Sequence, residues 1–363
     1  MDRTALFEPL TLGDLTLPNR VLMAPLTRNR AHPDGTPADM AVPYYRQRAS
    51  AGLIITEATQ INPQGKGYIN TPGIHADAHV AAWRRITDAV HDAGGRIFIQ
   101  LWHVGRISHT SLQPGGVAPL APSAIRAESM TFTEDGFTPV SAPRAMTVED
   151  IAATVKDYGA AARRALDAGF DGAEIHAANG YLIDQFLRDR TNKRDDAYGG
   201  SPENRTRFLA EVTDAVTGVF GPGRVGVRLS PTGTFNDMGD SDPLTTFTAA
   251  IDRLTGRGLA YLHLVEKFAV DSLSPEDTAL IDALRQRMDG AYLANGDFDG
   301  DSGAERIASG TADAITYGRP FISNPDLPRR LRENLPLTTP DQATFYGGDE
   351  KGYTDYPAYD GAA

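Results

Sequence analysis

Short apolar and β-branched runs, each closed by glycine, proline or a small polar residue, recur along the chain at 20–25 (RVLMAP), 52–58 (GLIITEA), 96–102 (RIFIQLW) and 170–176 (FDGAEIH). Four more follow at 224–230 (RVGVRLS), 260–265 (AYLHLV), 291–295 (AYLAN) and 313–318 (DAITYG). Runs of this length without strict alternation read as buried strands. Between most of them the apolar positions recur every three or four residues, which predicts helices over 80–95, 148–169, 204–220 and 275–288. Local signals agree: Thr147 with Asp150 forms a capping-box pattern, Pro275 suits a first helical turn, and Gly94, Gly95 and Gly169 mark ends.

Eight alternating strand-helix units predict an α/β fold, a single-domain (β/α)8 TIM barrel over 1–363. A doubly wound sheet is disfavoured, because the first strand leads into LTRNRAHPDG, which lacks a glycine fingerprint. The interval from Gln100 to Phe170 is too long for one helix and is rich in turn residues, so 105–147 is expected to be a cap or hairpin inserted over the barrel mouth after the third strand.

Composition narrows the function. The chain of 363 residues carries 35 Lys plus Arg against 47 Asp plus Glu, a formal charge of −12, with no segregated basic stripe; nucleic acid is not an expected partner. Zero cysteines exclude disulfides, thiolate zinc sites, cysteine-ligated iron–sulfur clusters and thiol nucleophiles. The N-terminal stretch lacks a secretory pattern and no apolar run is long enough to span a membrane, so a cytoplasmic location is expected. The last few residues of the polar, aromatic tail are expected to fray.

In a barrel of this kind the active site gathers where the strands end. Here those ends carry Pro25, Leu26 and Thr27; Glu57 and Ala58; Gln100, Trp102 and His103; His176; Arg228; Asn295, Gly296 and Asp297; and Gly318 and Arg319. A glutamine, a cation and a threonine hydroxyl suit a planar heterocycle with carbonyls and ring nitrogens along one edge. Glycine turns after strands seven and eight match a barrel phosphate site. Flavin mononucleotide fits both halves, with Arg228 favouring the negative charge that gathers at the N1–O2 side of the ring on reduction. Each residue alone also admits a structural role: His176 as a satisfied core histidine, Asn179-Gly180 as a turn, Gln100 or Arg228 as buried interior groups. A metal-dependent hydrolase is disfavoured, since His176, His103 and Glu57 make a poor ligand set and no metal is expected. A flavin-binding sensor without catalysis is a further alternative.

The segments MAPLTR, YYRQRASAGLIITEATQI, IQLWHVGRISH, HAANGYLIDQFL, YGGSPENRTRF, GRPFISNPDLPRRL and FYGGDEKGYTDYP, in that order, resemble the Old Yellow Enzyme family of flavin-dependent ene-reductases, near its N-ethylmaleimide and pentaerythritol tetranitrate reductase branch. The resemblance covers nearly the whole chain. It implies noncovalent FMN, reduced by NADPH or NADH and reoxidised by an electron-poor alkene, in a monomer or homodimer. By the same resemblance His176 and Asn179 donate hydrogen bonds to the substrate oxygen, and Tyr181 protonates the α carbon. Thr27 contacts flavin O4, Gln100 and Arg228 hold the pyrimidine edge, and Pro25, Leu26 and Ala58 pack beside the ring. Backbone around Asn295, Gly296, Asp297, Gly318 and Arg319 cradles the phosphate, while Tyr68, Trp102 and Tyr353 wall the substrate pocket. Relatives in that branch often have a second histidine where this chain has Asn179, and Thr27 stands where a separate subgroup has cysteine. Arg106, Arg126 and Arg144 are candidates to meet a 2′-phosphate of NADPH, against an ordinary surface role.

Overall fold

All eight apolar runs become strands of one closed parallel barrel, as the computed structural model shows for residues 2–268 and 272–360. The strands are β1 (Val21–Met23), β2 (Ile54–Gln60), β3 (Ile97–Trp102) and β4 (Gly172–His176), then β5 (Val225–Leu229), β6 (Tyr261–Val265), β7 (Ala291–Asn295) and β8 (Ala314–Tyr317). They pair in sequence order and β8 closes on β1. Nearly every strand residue is buried, because side chains fill the barrel on one face and helices cover the other. The expected fraying of the tail falls at 361–363, outside the described residues.

The expected helices appear as α2 (Asp77–Asp92), α3 (Val148–Asp167), α4 (Arg207–Phe220) and α6 (Pro275–Arg285), joined by α1 (Ala41–Arg46), α5 (Pro243–Leu254), α7 (Gly300–Ala308) and α8 (Leu327–Arg332). Thr147 and Asp150 close the capping box of α3 in both directions. Ser274 and Asp277 do the same for α6, with Pro275 in its first turn. The stretch expected as one helix over 204–220 divides, since Pro202–Arg205 forms a separate short turn of helix before α4.

The two ends of the barrel are finished differently. Below β1, an antiparallel hairpin of Leu10–Leu12 and Leu15–Leu17 sets its four leucines against Leu22, Leu53, Phe98, Tyr261 and Leu293, plugging the bottom. Above β3, the segment before α3 contains the hairpin Met130–Thr133/Gly136–Pro139. Phe132 O accepts the Ile69 N–H at 2.9 Å and Thr131 Oγ1 bonds Gly67 O, so the hairpin braces the loop that carries Tyr68. Among the described residues, no helix is long and apolar enough to cross a membrane.

Candidate active site

Strand register dictates what meets at the mouth. Glu174 lies beside Gln100, and one layer higher His176 lies beside Arg228, which in turn faces His263 on β6. Side chains two apart on a strand share a face, so Glu174 and His176 both belong to the interior. Gln100 Nε2 donates to Glu174 Oε1 at 2.7 Å, leaving its carbonyl oxygen as an acceptor. Arg228 Nη2 donates to Asn295 Oδ1 at 2.7 Å, and Asn295 Nδ2 donates to Thr316 O at 3.0 Å. Arg228 Nε is buried and has no partner among the described residues. A buried guanidinium edge left open beside a free amide oxygen fits the pyrimidine rim of a flavin, which offers both acceptors and a ring N–H.

The surroundings of that edge fit as well. Thr27, Pro25 and Leu26 follow β1 and are half-buried. A Cβ built on Gly318 would approach Leu26 Cδ2 at 3.3 Å, which brings this loop against the turn after β8. Beyond Gly296, Asp297 is held by Lys267 at 3.4 Å and Arg319 at 3.2 Å, so the turns after β7 and β8 are cross-linked at their tips.

Three of the aromatic residues expected to wall a substrate pocket or do its chemistry, Tyr68, Trp102 and Tyr181, converge on the other wall. Ala58, Trp102, Tyr181 and Tyr68 share one apolar cluster. Trp102 packs edge-on against Tyr181 at 4.9 Å between ring centroids, Tyr181 likewise against His176 at 5.1 Å, and Tyr68 stacks on Trp102 at 5.9 Å. His176 is neutral: burial and the Arg228 charge hold it well below the ordinary range. Its Nδ1 accepts the Ala178 N–H at 3.4 Å, which leaves the proton on Nε2 as a donor.

Asn179 adopts the left-handed conformation with φ 57°, followed by Gly180 with φ 77°. Asparagine tolerates that region better than most residues, and Gly180 has no room for a Cβ, which would sit 2.7 Å from Asn236 Cβ. Ser230 Oγ accepts the Asn179 N–H at 2.7 Å and Asn236 Nδ2 donates to Asn179 O at 2.9 Å, pinning the backbone while the side chain stays half-exposed. The Tyr181 hydroxyl lies 3.2 Å from that of Tyr68. Burial pushes Tyr181 up to about 12, so it holds its proton at neutral pH.

Tyr353 does not join this wall. It is 1% exposed, stacks on Tyr44 at 4.0 Å, and lies under the guanidinium groups of Arg28 and Arg30 at 5.1 and 4.7 Å. Positive φ at Gly347, Gly348 and Gly352 turns the chain back there, and the rim residue is instead Tyr346, 62% exposed and within electrostatic reach of both Tyr68 and Tyr181. Arg28 and Arg30 strap this segment down through backbone carbonyls: Arg28 Nη2 donates to Gly352 O at 2.7 Å and Nε to Phe345 O at 2.9 Å, while Arg30 Nε donates to Asp349 O at 2.9 Å. The Arg28 N–H donates to Glu57 Oε2 at 3.1 Å; burial pushes Glu57 up to about 7.

Arg106 is also corrected. It is buried and donates to the Asn236 and Asp237 carbonyls at 3.2 and 2.7 Å, a brace for the loop beside Tyr181. Arg144 is paired with Asp150, and Arg126 Nε donates to Val140 O at 2.8 Å. The sequence reading missed Tyr346, Asn236 and Glu174; a polar residue inside an apolar strand was the available signal for Glu174.

A closed parallel barrel with an open guanidinium, a free amide acceptor and an aromatic wall at its mouth defines a flavin-type barrel oxidoreductase. The chain matches the NADH:flavin oxidoreductase / NADH oxidase family over residues 5–338. It is similar to morphinone reductase (50% identity, TM-score 0.94, covering 98% of this chain and 96% of that one) and to the Old Yellow Enzyme homologue of Zymomonas mobilis (46%, TM-score 0.93, 98% and 99%). Among curated relatives, 12-oxophytodienoate reductase 1 of Oryza sativa subsp. japonica is 43% identical over 356 residues, 97% of this chain and 92% of that protein. The chain belongs to the Old Yellow Enzyme family, whose members are FMN-dependent oxidoreductases driven by NAD(P)H.

Proposed function

We propose that the protein reduces activated C=C bonds of small molecules, such as α,β-unsaturated carbonyls, maleimides and nitroalkenes, with nitro compounds and nitrate esters as secondary substrates. The observation that carries this reading is the joint presence of a neutral histidine donor, His176, and a protonated Tyr181, 5.1 Å apart between ring centroids on one wall of the mouth. FMN, when bound, supplies hydride exchange between a reduced nicotinamide and the β carbon of the alkene. Gln100, Arg228 and Thr27 would hold its ring edge, with Pro25, Leu26 and Ala58 beside the ring. Asn295, through Arg228, and the turns at Gly296, Asp297, Gly318 and Arg319 would complete the cofactor site.

The protein's own contribution follows from where charge moves. Addition at the β carbon pushes electrons onto the substrate oxygen, where donors from His176 Nε2 and the Asn179 amide stabilise the growing charge; one such donor is worth about 10²–10³ in rate. Tyr181 then gives its proton to the α carbon, a general-acid contribution of about 10²–10⁴. The Tyr68 hydroxyl at 3.2 Å is placed to return a proton to the Tyr181 oxygen. Trp102 and Tyr68 exclude water and present flat faces to a conjugated substrate.

The reductant in this reading is NADPH or NADH; a solved morphinone reductase is in complex with tetrahydroNAD. The enzyme acts in the cytoplasm as a monomer or homodimer. The test is the visible spectrum of the purified protein after FMN loading, on anaerobic addition of NADPH or NADH and then 2-cyclohexenone. Bleaching by the nicotinamide and return of the yellow colour with the enone are expected. A protein that takes up no FMN, or bleaches without responding to any electron-poor alkene, overturns the assignment.

A further inference from the structure

Beneath the flavin edge assigned above lies a buried polar network that no catalytic role requires. Glu174 is fully buried and accepts from three groups: Gln100 Nε2 at 2.7 Å, Tyr261 Oη at 3.1 Å and His263 Nδ1 at 2.7 Å. Thr316 Oγ1 lies 2.9 Å from His263 Nε2. Burial alone would raise the Glu174 carboxyl, but His263, Arg228 and the Gln100 hydrogen bond together bring it below the ordinary value. Burial likewise depresses His263. The pair is therefore a carboxylate and an imidazole that donates to it from Nδ1, while the Thr316 hydroxyl donates to Ala294 O at 3.2 Å.

A buried carboxylate is costly to keep unless it does something for its neighbours. Two neighbours here are the groups that would hold the pyrimidine edge. Glu174 takes the Gln100 NH₂ and so turns the amide oxygen towards the mouth; its charge also offsets that of Arg228.

We propose that Glu174 is a positioning and charge-balancing residue that sets the reduction potential of the bound flavin, by orienting Gln100 and offsetting Arg228. This rests on the FMN assignment and goes beyond it. Negative charge gathers on the ring at the Arg228 side on reduction. An unopposed arginine would favour the reduced state too strongly for ready hydride donation, and Glu174 moderates it.

The test is the two-electron midpoint potential of the FMN-loaded protein, together with FMN affinity measured by fluorescence quenching of the apoprotein. In Glu174→Gln the affinity ratio of reduced over oxidised FMN should rise about tenfold, an upward shift of about 30 mV for a two-electron couple. Tyr261→Phe should shift it the opposite way, because a carboxylate with one donor fewer is less neutralised. That variant decides the matter if Glu174→Gln does not fold. A purely structural role would weaken oxidised and reduced FMN equally and leave the potential unmoved; an unmoved potential, or shifts of the reverse sign, overturns the proposal. A wild-type chain that binds no FMN would instead sink the cofactor assignment.

Discussion

The floor and the rim of the mouth are built on opposite principles. On the floor, Gln100, Glu174, Arg228, His263 and Asn295 stand on five different strands and are tied side chain to side chain across the sheet. On the rim, Tyr68, Asn179 and Tyr346 stand on loops whose backbones are pinned by other residues: the hairpin against 67–69, Ser230 and Asn236 around Asn179, and Arg28 with Arg30 along 344–352. A strand-built floor is locked by its own side chains, while backbone-pinned loops let exposed side chains differ without disturbing the frame.

His176 and Tyr181 straddle the two regions, and the largest effects are expected there. His176→Ala with Asn179→Ala should weaken binding of a phenol about 10²–10⁴-fold, since hydrogen bonds to a charged oxygen contribute about 1.5–3 kcal/mol each; unaltered spectral titrations would mean the oxygen binds elsewhere. Tyr181→Phe should slow reduction of 2-cyclohexenone about 100-fold while sparing flavin reduction by NADPH. Unchanged turnover in stopped-flow traces would remove Tyr181 from the acid role and make the rim purely steric.

Smaller effects separate the strap from the surface it holds. Glu57 is raised from its ordinary 4.5 to about 7 by burial, so the folded protein binds its proton more tightly than the unfolded chain. Its stabilising contribution is present below pH 4.5 and is lost as pH rises through about 7. Glu57→Gln should flatten this part of the Tm-versus-pH curve; an identical slope in both proteins would show that Glu57 ionises normally. Tyr346→Ala should shift KM about fivefold, about 1 kcal/mol of lost contact area, with kcat little changed. A collapse of kcat would place Tyr346 in the chemistry.

The barrel was legible because strands buried on both faces leave uninterrupted apolar runs, and eight of them admit few other architectures. That His176 and Tyr181 would share one wall was legible because strand end, turn and helix start fix those positions within six residues. Tyr353 was misread because FYGGDEKGYTDYP offers three tyrosines, and the choice among them is made by chain reversals at Gly347, Gly348 and Gly352. Arg106 was misread because an arginine that braces carbonyls resembles, in sequence, one that meets solvent. Glu174 escaped notice because its three partners lie on two other strands.

The arginine strap has an evolutionary meaning. Arg28 and Arg30 grip 344–352 by main-chain carbonyls, which every amino acid possesses, so the grip is blind to the side chains it carries. Exposed non-glycine residues along that segment, Tyr346 foremost, can therefore be exchanged one at a time without undocking it, whereas Gly347, Gly348 and Gly352 are held to glycine by their positive φ; the rim can be varied by drift or by laboratory grafting while the floor is inherited untouched.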